Sequence, residues 1–326
     1  MRAMIVAAGL GTRLLPLTNL LPKPALPIRG VPLVAYQLAL LRDHGVRQVA
    51  INVHHLPEAL EAAAERFCPP GLTLRFSREP ELLGTGGGIA RMADFLRESD
   101  PSLVIGGDML LDFDLGALLD WHRAGGHGAS LLLRDDPRAA RFGTIGVDRE
   151  GRVRRVAGRL DLGGECRAGV YAWANVVSPR IFDSLPALTA FNHLDDWWMQ
   201  ELARGADDIR GLVADPKSCL WEPVGTPAEY LAANLGLRSL SFLDLEEVSA
   251  RAGARILRDG AGAPSVVLGA GARLAEGVEL RRAVVWDGER VPAGFRASGG
   301  VFAAGAWHAC EPAEGQAPAC AGRVAP

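Results

Sequence analysis

Residues 9 to 27 read Gly9-Leu10-Gly11-Thr12-Arg13-Leu14-Leu15-Pro16-Leu17-Thr18-Asn19-Leu20-Leu21-Pro22-Lys23-Pro24-Ala25-Leu26-Pro27, and they follow a short apolar strand predicted at 3–8. A strand that opens into a glycine loop turns several backbone N–H groups toward one point, where they can bind an anion. Arg13 and Lys23 add two cations to the same loop. The segment therefore predicts a phosphate site, and the ligand that it indicates is a nucleoside triphosphate.

Two commoner kinds of glycine loop do not match these residues. A Walker loop has lysine and then serine or threonine directly after its last glycine, whereas Thr12 and Arg13 follow Gly11 here. A dinucleotide-binding fingerprint has a third glycine at the position of Leu14. Both interpretations are therefore set aside.

Lysine usage singles out Lys23 independently. Only Lys23 and Lys217 are lysines among the 35 basic residues, so arginine serves wherever a general positive charge is needed. A compact ammonium fits between phosphate oxygens where a planar guanidinium does not. Prolines on both sides of Lys23 also stiffen the loop, which argues against a merely solvated surface cation.

The pattern Gly-x-Gly-Thr-Arg-Leu-x-Pro-Leu-Thr, followed by Pro-Lys-Pro-x-x-Pro, is long and specific. By this pattern the chain resembles the nucleoside-diphosphate-sugar pyrophosphorylases, the sugar-1-phosphate nucleotidyltransferases. The resemblance implies that Arg13 and Lys23 are catalytic, Arg13 holding the departing β and γ phosphates and Lys23 the α-phosphate. The nucleotide-binding positions that it implies are Ala8, Gly9, Gly11, Thr12, Gly84, Thr85 and Gly86.

The last three of these positions belong to a second glycine loop, Glu79 to Gly88, which resembles the family's loop against the base. Successive glycines at a helix start cost stability because each adds backbone entropy to the unfolded chain. Close approach of a ligand explains them better than a flexible linker does.

Strands and helices alternate along the first half of the chain. The periodicity predicts strands at 3–8, 48–53, 72–77, 103–107 and 129–133, and helices at 33–42, 57–67, 87–97 and 115–123. Alternation of this length predicts an α/β fold with a doubly wound, mostly parallel, Rossmann-like sheet, whose ligands lie beyond the carboxyl ends of the strands. The resemblance assigns residues 1–240 to the nucleotidyltransferase domain.

Asp108 follows the strand at 103–107, in the motif Gly106-Gly107-Asp108, where the resemblance makes it a Mg²⁺ ligand. The family's second ligand is an aspartate in Trp-x-Asp-Val/Ile-Gly-Thr-Pro, but this chain has Pro223 there. Proline cannot coordinate a metal. Glu222 is one residue away and takes over as a ligand only if the strand is shifted or bulged, because neighbouring side chains on a strand face opposite sides.

The sugar-binding half is less clearly marked in the sequence. The resemblance points to Gly143 and Gly169, the latter in Gly169-Val170-Tyr171, as sugar-binding positions. The Glu-Lys-Pro segment that contacts the sugar phosphate in many relatives is not found, so the sugar stays open.

The carboxy-terminal part changes period. After a linker at 241–263, the groups that begin at Leu268, Leu274 and Leu280 repeat every six residues, which is typical of a left-handed β-helix, here at 264–305. So short a solenoid covers its open ends only against the first domain or another copy, and homo-oligomerisation through this module is expected, with a cap that has no partner as the alternative. Residues 306–326 are predicted to be disordered.

Composition excludes several partners. The net charge of −3 and the absence of basic runs give no footprint for nucleic acid or an anionic membrane. No apolar stretch reaches the ~18 residues of a membrane span, and no targeting signal is visible. Five cysteines without metal-ligand spacing indicate reduced thiols and a cytoplasmic protein.

Two functional hypotheses follow. The first is nucleotidyl transfer from a nucleoside triphosphate to a sugar 1-phosphate, with Mg²⁺, and the resemblance leans to GTP and mannose 1-phosphate, hence GDP-mannose. A uridylyltransferase that acts on another sugar 1-phosphate is an alternative, because the Gly-Thr-Gly-Gly-Gly loop also occurs in relatives that use UTP. The second hypothesis is a weakly active or inactive regulatory subunit that binds nucleotide sugars, which the loss of a ligand at Pro223 favours.

Overall fold

The computed structural model describes residues 1–237 and 239–311. The strands are β1 (Arg2–Val6), β2 (Pro27–Ile28), β3 (Val31–Pro32), β4 (Gln48–Val53), β5 (Thr73–Arg78), β6 (Ser102–Gly106), β7 (Met109–Asp112), β8 (Ala129–Arg134), β9 (Ile145–Val147), β10 (Val153–Val156), β11 (Leu160–Asp161), β12 (Arg167–Val177), β13 (Ile209–Ala214), β14 (Leu220–Pro223), β15 (Arg255–Arg258), β16 (Pro264–Leu268), β17 (Arg273–Leu274), β18 (Glu279–Val285), β19 (Arg290–Val291), β20 (Arg296–Ala303) and β21 (Ala306–Ala309).

The α-helices are α1 (Leu33–Asp43), α2 (Pro57–Arg66), α3 (Gly84–Arg91), α4 (Ala93–Arg97), α5 (Leu115–Gly125), α6 (Ala139–Phe142), α7 (Met199–Ala203), α8 (Pro227–Gly236) and α9 (Leu245–Arg251). Shorter turns are 3-10 helical at Thr12–Leu14, Leu17–Asn19, Lys23–Ala25 and Pro179–Ser184, and π-helical at His193–Trp198.

The core is one mixed sheet in which β5, β4, β1 and β6 run parallel side by side. β12 joins β6 in the antiparallel sense and carries β8 and β13 along one part of its length and β9, β10 and β11 along the other. The central strands are apolar on both faces because helices cover both sides, as in other parallel sheets. The predicted α/β fold with a largely parallel sheet is thus confirmed.

The predicted strands of the first half agree with β1, β4, β5, β6 and β8 to within two residues at each end. The helix predicted at 87–97 differs, since α3 begins at Gly84 and the helical run is interrupted at Met92 before α4. Glycine has a low intrinsic helix propensity, so the sequence alone underestimates this helix. Contacts of α3 with Phe191 stabilise the helix despite this low propensity.

The carboxy-terminal module is a coil of short stacked strands. β16, β18 and β20 pair in parallel with Val266 beside Ala283 and Ala283 beside Gly300, and β17 pairs in parallel with β19. Successive coils are therefore offset by 17 residues, one fewer than three hexads contain. Glycines with positive φ occupy equivalent corners one coil apart, at Gly271 and Gly288 and again at Gly277 and Gly294.

One wall of this coil packs on the first domain. Val267, Val284 and Val301, one in each coil, are buried in the cluster that also contains Tyr230 and Leu231 of α8. The Trp286 indole N–H donates to the Tyr230 hydroxyl at 3.0 Å. The coil and the first domain therefore share a buried apolar core.

Residues 241–263, assigned to a linker, contain α9 and the strand β15, which pairs antiparallel with β16. Residues 306–309, assigned to the terminal tail, form β21 against β20, and the Trp307 ring lies 5.9 Å from that of Phe295. Residues 310 and 311 follow β21, where Glu311 pairs with Arg282, and the rest of the predicted tail, 312–326, lies outside the described residues. Within the described part of the chain, no helix combines the length and the apolar character that crossing a bilayer requires.

Candidate active site

A cleft of about 260 Å³ opens where β1 and β6 end. Parallel strands deliver their carboxyl ends to the same edge of a sheet, so the loops after β1 and β6 meet here, and the Gly107 N–H donates to the carbonyl of Val6 at 2.8 Å. The lining consists of Val6, Ala7, Gly9, Gly11, Thr12, Arg13, Lys23, Pro24, Thr85, Gly106, Gly107, Asp108, Trp173 and Gly225.

The glycine loop of the sequence analysis forms one wall of the cleft. Gly11 has a φ of 64°, and a Cβ there would lie 2.9 Å from the Thr18 side chain, so no other residue fits without displacement. The Thr18 hydroxyl donates to the Gly11 carbonyl at 3.0 Å, and the His55 ring donates to the Thr18 carbonyl at 2.6 Å. The loop is thereby held in one shape. Ala8 is buried and is not part of the lining.

Two further side chains anchor the start of the loop. Asn52, at the end of β4, accepts the Ala7 N–H at 2.7 Å and donates to the Glu79 carboxylate at 2.8 Å. Both Asn52 and Glu79 are buried. Gly88 leaves room for these two side chains, because a Cβ at this position would lie 2.6 Å from the Asn52 amide nitrogen. Neither side chain was identified from the sequence.

Lys23 and Asp108 form an ion pair inside the cleft. The Lys23 ammonium lies 2.9 Å from Asp108 Oδ2, with the lysine side chain 10% exposed and the aspartate side chain 50% exposed. The lysine is thus fixed against the wall, while half of the carboxylate faces the cleft. Lys23 and Asp108 are 85 positions apart in sequence. They meet because Lys23 lies beyond the loop that follows β1, Asp108 lies just after β6, and these parallel strands end at the same edge of the sheet.

Arg13 is exposed and extends along the opposite wall. A Cβ at Gly225 would lie 3.3 Å from the Arg13 guanidinium, so the glycine leaves room for that side chain. Gly225 is held in turn by Glu229, which accepts its N–H at 2.8 Å and pairs with Arg141 at 2.6 Å. Arg13 lines both this cleft and a neighbouring cavity.

The second glycine loop packs closely against a distant segment of the chain. A Cβ at Gly84 would lie 2.5 Å from the Phe191 carbonyl oxygen, one at Gly86 would lie 2.3 Å from the Phe191 ring, and one at Gly87 would lie 2.4 Å from the Thr189 carbonyl oxygen. The glycines thus allow α3 to pack on residues 189–191. Of the three predicted positions in this loop, only Thr85 lines the cleft. These glycines are explained by close approach of another part of the chain, and contact with a nucleotide stays a prediction.

The second cavity, of about 230 Å³, adjoins the cleft and shares Arg13, Asp108 and Trp173 with it. Four aromatic residues contribute to its walls: Phe142, Tyr171, Trp173 and Trp221. Arg159 is its second cation and pairs with Asp195 of the π-helical turn. Among the described residues that line the two cavities, Asp108 is the only carboxylate.

Of the two glycines predicted on the sugar side, the structure brings one to this cavity. Gly143 lies in the lining and has a φ of 74°. Gly169 lies in β12, where a Cβ would be 3.0 Å from the backbone of Arg134 in the neighbouring strand β8, and it is not in the lining. The absence of a Cβ at Gly169 allows the close pairing of β12 with β8, and its sugar-binding role stays a prediction.

Glu222 and Pro223 face opposite sides of β14. Pro223 lines the second cavity together with Asp108. Glu222 does not line that cavity. It lines another pocket, which Pro223 also borders, and is held there by Arg138, whose Nη1 lies 2.8 Å from its carboxylate. β14 pairs in unbroken register with β7, so no bulge turns Glu222 inward. The structure does not bring Glu222 to Asp108.

Two residues of the site, Trp173 and His193, were missed by the sequence analysis. His193 is buried, and burial lowers its pKa to about 3, so the ring is neutral. Its Nδ1 lies 2.8 Å from the Thr85 hydroxyl and its Nε2 lies 3.2 Å from the Tyr171 hydroxyl. Tyr171 donates its own proton to Asn175 at 2.8 Å, so His193 must donate from Nε2. No local pattern marks either residue, since their partners are distant in sequence.

Comparison with known proteins identifies one family. The model described as nucleotidyl transferase matches residues 2–239. A mannose-1-phosphate guanylyltransferase of Mycobacterium tuberculosis is 32% identical over 90% of this chain and 81% of that protein. A UTP–glucose-1-phosphate uridylyltransferase of Synechocystis sp. is 32% identical over 57% of this chain and 51% of that protein.

Two further similarities agree with this result. A probable mannose-1-phosphate guanylyltransferase 1 of Oryza sativa subsp. japonica is 27% identical over 89% of this chain and 82% of that protein. The crystal structure of HddC from Yersinia pseudotuberculosis superposes with a TM-score of 0.59 at 21% identity, covering 72% of this chain and 97% of that one. The structural similarity supports the fold.

Proposed function

Because this chain belongs to the nucleotidyl transferase family, we propose that it transfers a nucleotidyl group from a nucleoside triphosphate to a sugar 1-phosphate, with release of pyrophosphate. The observation that carries the proposal is the meeting of two cavities at Arg13 and Asp108. One cavity is walled by backbone N–H groups and cations, which suit a triphosphate, and the other by aromatic side chains, which suit a sugar.

The reaction is an in-line displacement at the α-phosphorus. A phosphate oxygen of the sugar 1-phosphate forms a bond to the α-phosphorus, and the bond from that phosphorus to the oxygen bridging the β-phosphate breaks. The electron pair leaves with pyrophosphate. No covalent intermediate is needed, so the protein contributes alignment and charge neutralisation.

The two cations and the glycine loop of the cleft each have a part in this scheme. Lys23, fixed by Asp108 at 2.9 Å, neutralises the α-phosphate and the attacking phosphate. Arg13, exposed and free to extend, holds the β and γ phosphates as they leave. The backbone N–H groups of the Gly9 to Thr12 segment complete the triphosphate site. Thr85 lines the same cleft, with its hydroxyl bonded to His193.

Mg²⁺ is the cofactor of this proposal, and Asp108 is the residue that would hold it. Hard oxygen ligands suit Mg²⁺, which commonly takes one or two protein carboxylates and fills its shell with phosphate oxygens and water. The half-exposed Asp108 carboxylate at the junction of the cavities fits that pattern. When bound, the ion supplies neutralisation of phosphate charge in the transition state.

GTP and mannose 1-phosphate are the proposed substrates, giving GDP-mannose. The support is the 32% identity to a mannose-1-phosphate guanylyltransferase over 90% of the chain, together with the similarity to the corresponding rice protein. UTP with glucose 1-phosphate is the competing pair, which the Synechocystis relative favours over a shorter stretch.

A pyrophosphate-release assay over four nucleoside triphosphates and a panel of sugar 1-phosphates tests the proposal. We expect turnover with Mg²⁺ and the highest kcat/KM for GTP with mannose 1-phosphate. Highest kcat/KM with UTP and glucose 1-phosphate would transfer the proposal to that pair. Tight binding of nucleotide or nucleotide sugar by calorimetry, without pyrophosphate release from any pair, would instead support the regulatory subunit.

The metal assignment is tested by titrating Mg²⁺ in the same assay. Asp108→Asn should abolish Mg²⁺-dependent turnover. Pro223→Asp should lower the Mg²⁺ concentration for half-maximal rate, because it places a second carboxylate in the cavity that Asp108 lines. Glu222→Gln is the matched control, since Glu222 pairs with Arg138 in another pocket. Wild-type turnover that Asp108→Asn leaves intact would overturn the assignment.

For the carboxy-terminal module, the proposal is a short left-handed β-helix that mediates homo-oligomerisation. Its parallel coils at a spacing of 17 residues support the first part. The second part is supported by the wall formed by β17 and β19, which carries no further paired strand at either edge among the described residues, whereas β15 and β21 cover the edges of the neighbouring wall. Light scattering on the full chain should give a mass above that of one copy, and substitutions at the exposed coil edge should lower it. A full chain that is monomeric at assay concentrations would contradict the assembly.

A further inference from the structure

β12 contains an irregularity at the junction of the two cavities. Its pairing with β8 shifts register between Tyr171 and Asn175, and Trp173, inside that interval, has a φ of 54°. A bulky aromatic residue in the left-handed region is rare and costs free energy, and such residues concentrate at functional sites. A bulge of this kind redirects a side chain that regular pleating would place elsewhere.

The redirected indole belongs to both cavities. Trp173 lines the phosphate cleft beside Gly106 and the second cavity beside Pro223. Gly106 leaves room for it, because a Cβ added at Gly106 would lie 3.2 Å from Trp173 Cβ. Because Arg13 and Asp108 are the other residues common to both cavities, the indole stands where the two substrates must meet. It is half-buried, so part of its surface is available to a ligand.

The rest of the indole is supported from behind by aromatic rings. The His193 ring centroid lies 4.4 Å from that of Trp173, and Tyr171 stacks at 5.3 Å with an interplanar angle of 26°. His193 is fixed at both ring nitrogens, by Thr85 and by Tyr171. The indole is therefore a pre-organised surface whose orientation is set before any ligand arrives.

We propose that Trp173 determines sugar specificity, its indole forming the flat wall on which the sugar ring of the sugar 1-phosphate packs. The inference rests on the proposed function and deepens it. The second cavity favours a sugar because its walls are aromatic and aliphatic, and the C–H faces of a pyranose pack on such rings. The cleft side of Trp173 adjoins glycines and cations, which suit phosphates rather than a base.

Substitutions at Trp173 separate this role from simple packing. Trp173→Gly removes the wall and also the backbone cost, because glycine adopts positive φ freely. We expect it to raise the KM for mannose 1-phosphate about tenfold or more, which is the size of an aromatic contact, and to leave the KM for GTP within about twofold. Because the half-buried indole also packs on His193 and Tyr171, its loss should lower the melting temperature, so the assays are run well below the melting temperature of the variant. Trp173→Phe should give an intermediate KM.

Selectivity is the second readout. The ratio of kcat/KM values for mannose 1-phosphate and glucose 1-phosphate should move toward one in Trp173→Gly, since a flat wall discriminates sugars by which C–H face they present. Trp307→Ala, which removes a tryptophan from β21 of the module, is the matched control and should leave both KM values and the ratio unchanged.

Calorimetric binding of mannose 1-phosphate keeps the test independent of turnover. Wild type should bind it and Trp173→Gly should bind it about tenfold more weakly, even if no nucleotide pair releases pyrophosphate; that combination would overturn the proposed function and retain the sugar wall. A raised KM for GTP with unchanged sugar binding would assign the indole to the base. Unchanged affinity for both substrates would overturn the proposal.

Discussion

Lys23 both packs against the glycine loop and supplies a fixed positive charge in the cleft. Its ammonium is pinned by Asp108 at 2.9 Å, and its Cβ lies 3.3 Å from where a Gly11 side chain would begin. A guanidinium is larger and planar, so it cannot take the same place between the loop and the carboxylate. This packing explains why the chain keeps a lysine here while using arginine almost everywhere else.

Lys23→Ala should lower kcat about 10²-fold or more, because a fixed cation at the reacting phosphate is lost from the transition state. Arg13→Ala should lower kcat similarly, and Lys23→Arg should not restore activity. Steady-state pyrophosphate release measures all three. Lys217→Ala, which removes the chain's other lysine at an exposed turn, is the control and should stay within about twofold of wild type. A Lys23→Ala variant as active as this control would exclude Lys23 from the mechanism.

At the scale of elements, α3 is a helix that forms despite its sequence. Gly86, Gly87 and Gly88 lie in its first turns, and a glycine inside a helix is unfavourable by about 1 kcal/mol relative to alanine. Gly84, with a φ of 70°, begins the helix in a conformation that favours glycine. The compensation comes from contact with the segment at 189–191, where the Phe191 carbonyl accepts the Gly86 N–H at 2.9 Å. The helix then presents Thr85 to the cleft and to His193.

Gly87→Ala should therefore destabilise the protein although it raises helix propensity. The new Cβ would lie 2.4 Å from the Thr189 carbonyl oxygen and 2.9 Å from Leu83 Cβ, and such overpacking typically costs about 1–3 kcal/mol. Urea unfolding measures the change. Gly236→Ala, at the end of α8 with no atom within 4 Å of the added Cβ, should be neutral or stabilising by up to about 1 kcal/mol. Equal effects of the two substitutions would contradict the packing argument.

At the scale of the whole molecule, buried histidines tie separate layers together. His122 of α5 lies 2.9 Å from the Ser130 hydroxyl in β8 and 3.0 Å from the Ser178 hydroxyl after β12. Burial lowers the pKa of His122 to about 4, with His127 nearby adding to the effect. Burial alone also lowers the pKa of His193.

These lowered pKa values predict a loss of stability in mild acid. Below about pH 6.5 the unfolded chain takes up protons on these histidines while the folded chain does not, so the free energy of unfolding falls as the pH drops toward 4. For His122 alone the loss between pH 7 and pH 5 should be about 2 kcal/mol. Urea unfolding at pH 8, 7 and 5 measures it.

His122→Gln should reduce the loss between pH 7 and pH 5 by about that amount, because glutamine does not titrate. The change between pH 8 and pH 7 should be the same in the variant and in the wild type, since both values lie above the pKa of an unfolded histidine. A variant that keeps the full wild-type loss at pH 5 would show that His122 is not the group responsible.

The sequence alone determined the α/β order of the first half and the loop on which the site is built. Hydrophobic periodicity, glycine and proline act over a few residues, so β1, β4, β5, β6 and β8 could be located to within two residues. The glycine loop put Arg13 and Lys23 forward, the family resemblance put Asp108 forward, and all three line one cleft. They meet because the carboxyl ends of parallel strands share one edge of the sheet.

Tertiary structure decided what depends on partners far along the chain. The glycines of α3 allow the helix to pack on residues 189–191. The regular pairing of β14 with β7 turns Glu222 toward Arg138. The bulge of β12 brings Trp173 to the junction of the cavities. The coil spacing of 17 residues, rather than three full hexads, is also visible only from the strand register. Each of these features is a contact between segments whose sequences carry no local record of one another, so only the folded chain specifies it.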